Sequence, residues 1–199
     1  MRLEVRNAEA RDLPEIKGLM DRYLARDYYS MEELENILTG DRDMLFVVTD
    51  EDRNGAVISY FYAFIAPLGE ALQILHVKEM PEFLSNYSRD TLVAVYKASS
   101  TEKEYRNHGV CTSFVRDLQP VVRDRGAKLI LATAVHPAGR EEPMKHIFLA
   151  SGFSVIADLY RPWSGIRAYC PYCRQDYCVC DAVFYIKETD KTEGENISE

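Results

Sequence analysis

Two short runs constrain the fold of this chain more than any other feature of its sequence. Thr91 to Tyr96 reads TLVAVY and Lys128 to Val135 reads KLILATAV. Both are apolar on consecutive residues, so both faces of each strand need covering, which places them near the centre of a sheet. Between them Val110, Phe114, Val115, Leu118, Val121 and Val122 mark one helix face, and Gly126 supplies a stop. Pro120 falls inside that pattern and is expected to kink the helix or end it early.

The remaining elements group around this centre. Leu3 to Arg6 alternates as a strand, and a helix opens at Asp12 or Leu13, with Leu13, Ile16, Leu19, Met20, Tyr23 and Leu24 on one face. Ser30 and Glu33 form a capping box for a short helix that Gly40 stops. Met44 to Thr49 and Ala56 to Ala66 read as strands joined by a turn ending in Asn54-Gly55. Over 67–89, Leu72 to Val77 is expected as an extra strand and Pro81 to Tyr87 as a helical turn. Pro143 suits the first turn of a helix carrying Met144, Ile147 and Phe148 and ending at Gly152. Phe153 to Tyr160 and Ala182 to Lys187 are the last two strands. With no repeat and no linker, the chain reads as one α/β domain over 1–187, followed by a disordered acidic tail over 188–199.

Charge and targeting exclude several function classes. The net charge is −8, of which Lys187 to Glu199 supplies −3 and the body −5. An acidic body argues against non-specific binding to nucleic acid or an anionic membrane, and fits a cationic or amine-bearing small partner better. The start, MRLEVRNAEARD, is charged throughout, unlike a secretory signal. The most apolar stretch, Ala56 to Leu68, is too short to span a bilayer as a helix. The expected location is the cytoplasm.

The junction before the central helix carries the chemistry. In EYRNHGVCTSFV, Glu104 to Val115, no Ser, Thr or Asp stands where a side chain would cap the helix. The free amides and the positive end of the macrodipole invite a phosphate, which Gly109 lets approach and Arg106 can bind. A plain strand-to-helix turn capped by water would read the same way.

The order β-α-α-β-β-β-α-β-α-β-β, with this turn between the fourth strand and the third helix, resembles the GNAT N-acetyltransferase family. Arg106-Asn107-His108-Gly109-Val110-Cys111 is similar to its Arg/Gln-x-x-Gly-x-Gly/Ala turn, with Cys111 where Gly or Ala is usual. VRNAEARDLPEIKGLM resembles the family's first strand and helix, and FLASGF, Phe148 to Phe153, its fourth-helix ending. The resemblance covers Leu3 to Lys187 and implies a central mixed sheet flanked by helices, with a cysteine-rich hairpin between the last two strands. It implies acyl-CoA-dependent transfer, with acetyl-CoA as co-substrate and an amine as acceptor; a homodimer is compatible with it. The amides of Asn107, His108, Gly109, Val110 and Cys111 would hold the pyrophosphate. The fourth and fifth strands would splay, and the backbone around Ser99 and Ser100 would hold the pantetheine arm.

The family's usual acid is a tyrosine four residues before Gly152; here that residue is Phe148. His136, His146 and Tyr160 are the candidate substitutes, with Glu104 and Glu142 as candidate bases. Two other accounts stay open: the thiolate leaves without an acid, or the chain binds acyl-CoA without turnover. Cys111 reads as a small residue packed under the turn, or as an acyl-carrying nucleophile. The thirteen tyrosines include Tyr28 and Tyr29, which the resemblance places beside the acceptor.

The last motif is CPYCRQDYCVC, in which Cys170, Cys173, Cys178 and Cys180 are spaced C-x2-C-x4-C-x-C. Four thiolates on a short hairpin suit one structural zinc ion. A redox Cys-x-x-Cys, two disulfides and an iron–sulfur cluster are the rivals. A third, separate function class is a metal-containing nucleic-acid adaptor, which the acidic charge disfavours.

Overall fold

The structure, a computed structural model, describes residues 2–189. Most of the expected tail lies outside those residues, and Glu188 is still part of a strand. In chain order the strands are β1 (Leu3–Asn7), β2 (Asp43–Asp50), β3 (Ala56–Pro67), β4 (Leu92–Thr101), β5 (Leu129–His136), β6 (Ser154–Leu159), β7 (Arg167–Cys170), β8 (Gln175–Tyr177) and β9 (Asp181–Glu188). Seven of them form one sheet in the order β1-β2-β3-β4-β5-β9-β6, while β7 and β8 form a separate hairpin. Only β4 and β5 pair in parallel. Every other neighbouring pair is antiparallel.

The apolar runs at Thr91 to Tyr96 and Lys128 to Val135 fall on β4 and β5, and both strands are central in the sheet. Along β4, Val93 and Val95 face one core and Ala94 and Tyr96 the other, as the two-residue period of a strand requires. Helices α1 (Leu13–Tyr23), α2 (Met31–Thr39) and α3 (Leu68–Ile74) pack on the first face. Helices α4 (Val110–Asp124) and α5 (Lys145–Ala150) pack on the second. Leu13, Ile16, Leu19 and Met20 of α1 are all essentially buried, and each such side chain contributes about 1.5–3 kcal/mol.

Local chemistry fixes the helix starts. Asp12, just ahead of α1, accepts from the Glu9 amide at 2.7 Å and from both Arg6 terminal nitrogens at 2.6 and 2.8 Å. Burial pushes its carboxyl up, but the Arg6 and Glu9 bonds outweigh this and hold it below the usual carboxylate range. At α2 the expected capping box is present: Ser30 Oγ accepts from the Glu33 amide at 3.1 Å, and Glu33 accepts from the Ser30 amide at 2.7 Å.

The helical turn expected over 81–87 is present, as a 3-10 helix at Glu82–Asn86. Two expectations are corrected. Leu72 to Val77 is not a strand; α3 covers Leu68–Ile74, because Leu68, Ala71, Leu72 and Leu75 bury one helical face. Helix α4 runs through Pro120 to Asp124 rather than ending early. Pro120 and Arg116, whose carbonyl the proline leaves without an amide partner, both lie on the exposed face, where water can serve that carbonyl. The cysteine-rich hairpin expected between the last two strands is present between β6 and β9, as the paired strands β7 and β8. Among the described residues no helix is long and apolar enough to cross a membrane.

Candidate active site

The sheet opens where β4 and β5 part. Their pairing runs from Val93 with Leu129 to Tyr96 with Ala132 and then stops. Beyond that point β4 stays with β3, as far as Ser59 with Thr101. Strand β5 stays with β9, as far as His136 with Asp181. A bulge starts the divergence: Tyr62 pairs with Ala98 and Ala63 with Tyr96, which leaves Lys97 unopposed.

At the open end sits the junction that begins α4. Gly109 is its N-cap, at φ 81°, with no side chain bonded to the helix amides. A Cβ at Gly109 would meet nothing within 4 Å, so the space beside this backbone is open. Asn107 also has a positive φ, 64°. The His108 ring nitrogen Nδ1 is 2.9 Å from the Arg106 carbonyl. Arg106 Nε donates to the Thr101 carbonyl at 3.0 Å, and its guanidinium lies 4.5 Å from the centre of the Tyr23 ring. The Tyr23 hydroxyl in turn donates to Glu102 at 2.7 Å. The turn is thus a set of outward amides with one guanidinium held at its edge.

Between turn and divergence lies a cavity of about 190 Å³. Tyr23 and Tyr28 line it from α1 and the loop after it, Tyr96 to Ser99 from β4, Thr133 to Val135 from β5, Met144 and Phe148 from the α5 segment. Its roof is the segment before β9, through Trp163, Ile166, Tyr172, Cys170 and Cys178. The roof is tied to the α1–α2 loop by a backbone pair, Arg26 N–H to Tyr169 O at 2.9 Å and the reverse at 3.2 Å, with the Arg26 guanidinium 4.7 Å over the Tyr169 ring.

Among the expected binding residues, Arg106 to Cys111 form the turn at the start of α4 and are not part of the cavity wall, and none of the expected catalytic residues lines the cavity. Ser99 lines the cavity; Ser100 is buried beside it, 3.3 Å from the Tyr60 hydroxyl. Cys111 lies under the turn, 3.7 Å from Ser99 Oγ and 4.0 Å from Met144 Sδ. Burial pushes its thiol up, so it is a packed residue and not an activated nucleophile. His136 and His146 are exposed and do not line the cavity. Glu104 is exposed and paired with Arg53. Tyr160 is 73% exposed beneath Arg161. Glu142 is buried, with one carboxylate oxygen accepting from the Tyr185 hydroxyl at 2.5 Å and the other without a partner. Burial raises its pKa.

Phe148 occupies the cavity wall, its ring 4.9 Å from that of Tyr185 and 5.0 Å from that of Phe153. Tyr96 and Tyr172 also line the cavity; burial raises both phenols, so they remain protonated donors. Lys97, Trp163, Ile166 and Tyr172 were not singled out by sequence reasoning. For Lys97 a signal exists: it is the one charged residue in the run TLVAVYKASST.

In the roof the four cysteines converge. Their sulfur atoms all lie within 4.8 Å of one another, and all are free thiols. Cys170, Cys178 and Cys180 are buried. A bond from Cys178, joined by the amides of Tyr172 and Cys173, lowers the Cys170 thiol. The Cys178 thiol is raised by that same bond, and Cys180 by burial. Four thiolates at this spacing repel one another strongly, so full ionisation calls for a cation at their centre.

No family model matches the sequence, and no curated protein is similar to it. Solved structures do match. Arabidopsis thaliana NAA60 in complex with acetyl-CoA is 12% identical, with a TM-score of 0.70 over 94% of this chain and 98% of that one. The ribosomal-protein-S18-alanine N-acetyltransferase of Escherichia coli is 14% identical, with a TM-score of 0.63 over the whole of both chains. A GNAT-family acetyltransferase of Streptococcus pneumoniae is 15% identical, with a TM-score of 0.62 over 94% of this chain and 99% of that one. Each likeness extends over nearly the whole of both chains: this chain has the GNAT acetyltransferase fold.

Proposed function

We propose that this protein is an N-acetyltransferase that uses acetyl-CoA to acylate an amine. The observation that carries the reading is the parting of β4 and β5 after Tyr96 and Ala132, with the uncapped N-terminus of α4 at its open end. One feature offers main-chain groups to a pantetheine arm; the other offers amides to a pyrophosphate. The complex of NAA60 with acetyl-CoA supports the same assignment.

In this reading the amides of residues 107–111 and the Arg106 guanidinium hold the phosphates. The freed edge of β4 around Ser99 and Ser100 holds the arm, and a β4 amide polarises the acetyl carbonyl. The acceptor nitrogen attacks the carbonyl carbon; the C–N bond forms, the C–S bond breaks, the nitrogen loses a proton and the thiolate departs. Among the described residues no carboxylate or histidine lines the cavity, so in this reading the amine proton passes to water. A thiolate with a pKa of about 8.5 is a workable leaving group without an acid.

The four-cysteine cluster is proposed to hold one structural zinc ion. About 2.3 Å from zinc to each sulfur gives sulfur–sulfur edges of about 3.8 Å; here Cys173 and Cys178 are 4.0 Å apart and all four sulfurs lie within 4.8 Å, so a modest contraction would close the shell. The shell is closed by protein, so the ion would brace the roof and bind no substrate. Reduced cysteines also suit the cytoplasm.

Thiol release from acetyl-CoA across an amine panel tests the activity, and calorimetry with desulfo-CoA tests the site. Phe148 in place of a phenol favours a second reading, a non-catalytic acyl-CoA sensor. Tight desulfo-CoA binding without thiol release on any amine would select that one. Absence of binding at millimolar desulfo-CoA would end both.

A further inference from the structure

The acceptor end of the cavity is built from aromatic rings and one cation. Tyr23, Tyr28, Tyr96, Trp163 and Tyr172 line it together with Lys97, and among the described residues no Asp or Glu does. A protein with net charge −8 has therefore kept carboxylates out of this one chamber. That runs against the expectation of a cationic acceptor drawn from overall charge. A polyamine or a lysine side chain entering here would find the like charge of Lys97 and, among the described residues, no carboxylate to pair with; the thiolates of the roof would be bonded to their own metal.

Lys97 is placed there by the backbone. It is the bulged residue of β4, immediately after the last β4–β5 pair and immediately before the Ala98–Ser99 stretch that lines the cavity. Its ammonium is half-buried and bonded only to neutral groups, the Tyr28 hydroxyl and the Ile74 carbonyl, each at 3.2 Å. An ammonium has three protons to donate, so these two bonds leave a third. Lys97 also borders a second pocket lined by Glu33, Asp43 and Glu70, but these carboxylates are held by Ser30, Tyr62 and Arg42, so a partly desolvated cation beside the cavity still invites an anion as its ligand.

The shape of the chamber limits the size of that ligand. The roof and the α1–α2 loop are joined by the two main-chain bonds between Arg26 and Tyr169. A polypeptide threaded between those segments would have to break them. The volume of about 190 Å³ suits a small molecule.

We infer that the acceptor is a small amine that also carries an anionic group, such as the carboxylate of an apolar or aromatic α-amino acid, and that Lys97 binds that group. This rests on the acetyl-CoA reading above. The anion fixes the acceptor's orientation with its nitrogen beside β4, and the aromatic walls take the apolar body. The same cation and the apolar surroundings disfavour a protonated nitrogen at that spot, which helps deliver the amine neutral in a chamber with no resident base.

The test uses matched pairs that differ only in the carboxylate: phenylalanine with phenethylamine, and methionine with 3-(methylthio)propylamine, with spermidine as a cationic comparison. Thiol release and calorimetric affinity are measured on the full chain, with and without desulfo-CoA. The carboxylate-bearing member should lead by roughly 10- to 100-fold in kcat/KM or in affinity. Lys97→Met should collapse that ratio toward one, while Lys97→Arg should keep most of it; thermal melting confirms that each variant folds. A carboxylate-free or polycationic compound that does as well, failure of every pair to bind, or a ratio that survives Lys97→Met would overturn the inference. Failure of desulfo-CoA to bind would instead overturn the parent reading, and the affinity ratio measured without it stands apart from that result.

Discussion

The ring of Phe148 lies 4.9 Å from the ring of Tyr185, whose hydroxyl is itself committed to Glu142 at 2.5 Å. The nearest phenol behind the cavity wall is therefore already engaged with a buried carboxyl, and Tyr185 does not line the cavity. The wall at α5 offers no proton, which separates two accounts of how thiolate leaves.

If the thiolate departs unaided, Phe148→Tyr should change kcat less than about tenfold, since nothing rate-limiting is supplied. General acids contribute about 10²–10⁴-fold where they are needed. Steady-state turnover with the best acceptor checks this, and a rise of two orders of magnitude would show that protonation limits the wild-type rate.

Glu142 gives a pH prediction. Burial raises its carboxyl above the ordinary value of 4.5. Its folded state therefore binds a proton more tightly than its unfolded state, and stability falls as pH rises from the unfolded pKa through the raised folded one. Glu142→Gln can still accept from Tyr185 and removes this titration. The variant should gain on wild type as pH rises from about 4 toward neutrality. Urea melts across that range are the measurement, and a difference that does not change with pH would refute the assignment.

Gly109→Glu puts a carboxylate at the helix end that is proposed to hold phosphates. Desulfo-CoA affinity should fall by at least about 100-fold. Gly109→Ala is the control: the site has room for a methyl, and φ 81° adds only backbone strain of about 1–2 kcal/mol. Its affinity loss should stay below about tenfold by calorimetry. Equal losses in both variants would mean that the glycine matters for conformation alone.

Metal analysis of protein purified under reductant and without chelator should give about one zinc per chain. Cys173→Ser should lower Tm by roughly 5–15 °C and shift acceptor preference, because Cys170 and Cys178 line the cavity from the same cluster. Acetyl-CoA affinity should change less than about threefold, since the turn at Gly109 lies on a different element. Metal-free cysteines in such a preparation would remove the zinc assignment.

What the sequence revealed follows from the range of each interaction. The Ser30–Glu33 box and the buried β4 and β5 are written in neighbouring residues, and they were legible. The run from Leu72 to Val77 is apolar enough to pass for a strand; only the burial of Leu68, Ala71, Leu72 and Leu75 together reveals α3. The turn at Gly109 and the cysteine spacing were legible as motifs. His136, His146, Glu104 and Tyr160 were nominated for chemistry and nearness in sequence, yet the splay directs the cavity toward Lys97, Tyr28 and Trp163. A wall assembled from several separate segments leaves no local pattern, apart from one lysine interrupting an apolar strand.

The place of β9 in the sheet bears on how the chain is made. Residues 181–188 insert between β5 and β6, which precede them in the sequence. A nascent chain that has reached residue 180 has all the helices and eight of the nine strands found among the described residues, yet two facing strand edges stand open. Phe184, Tyr185 and Ile186, which complete both cores, are still missing at that moment. Completion on the ribosome must then wait for the last strand to be threaded between partners already formed. Until it arrives the intermediate presents the kind of unpaired edge that chaperones shield and that other chains can join.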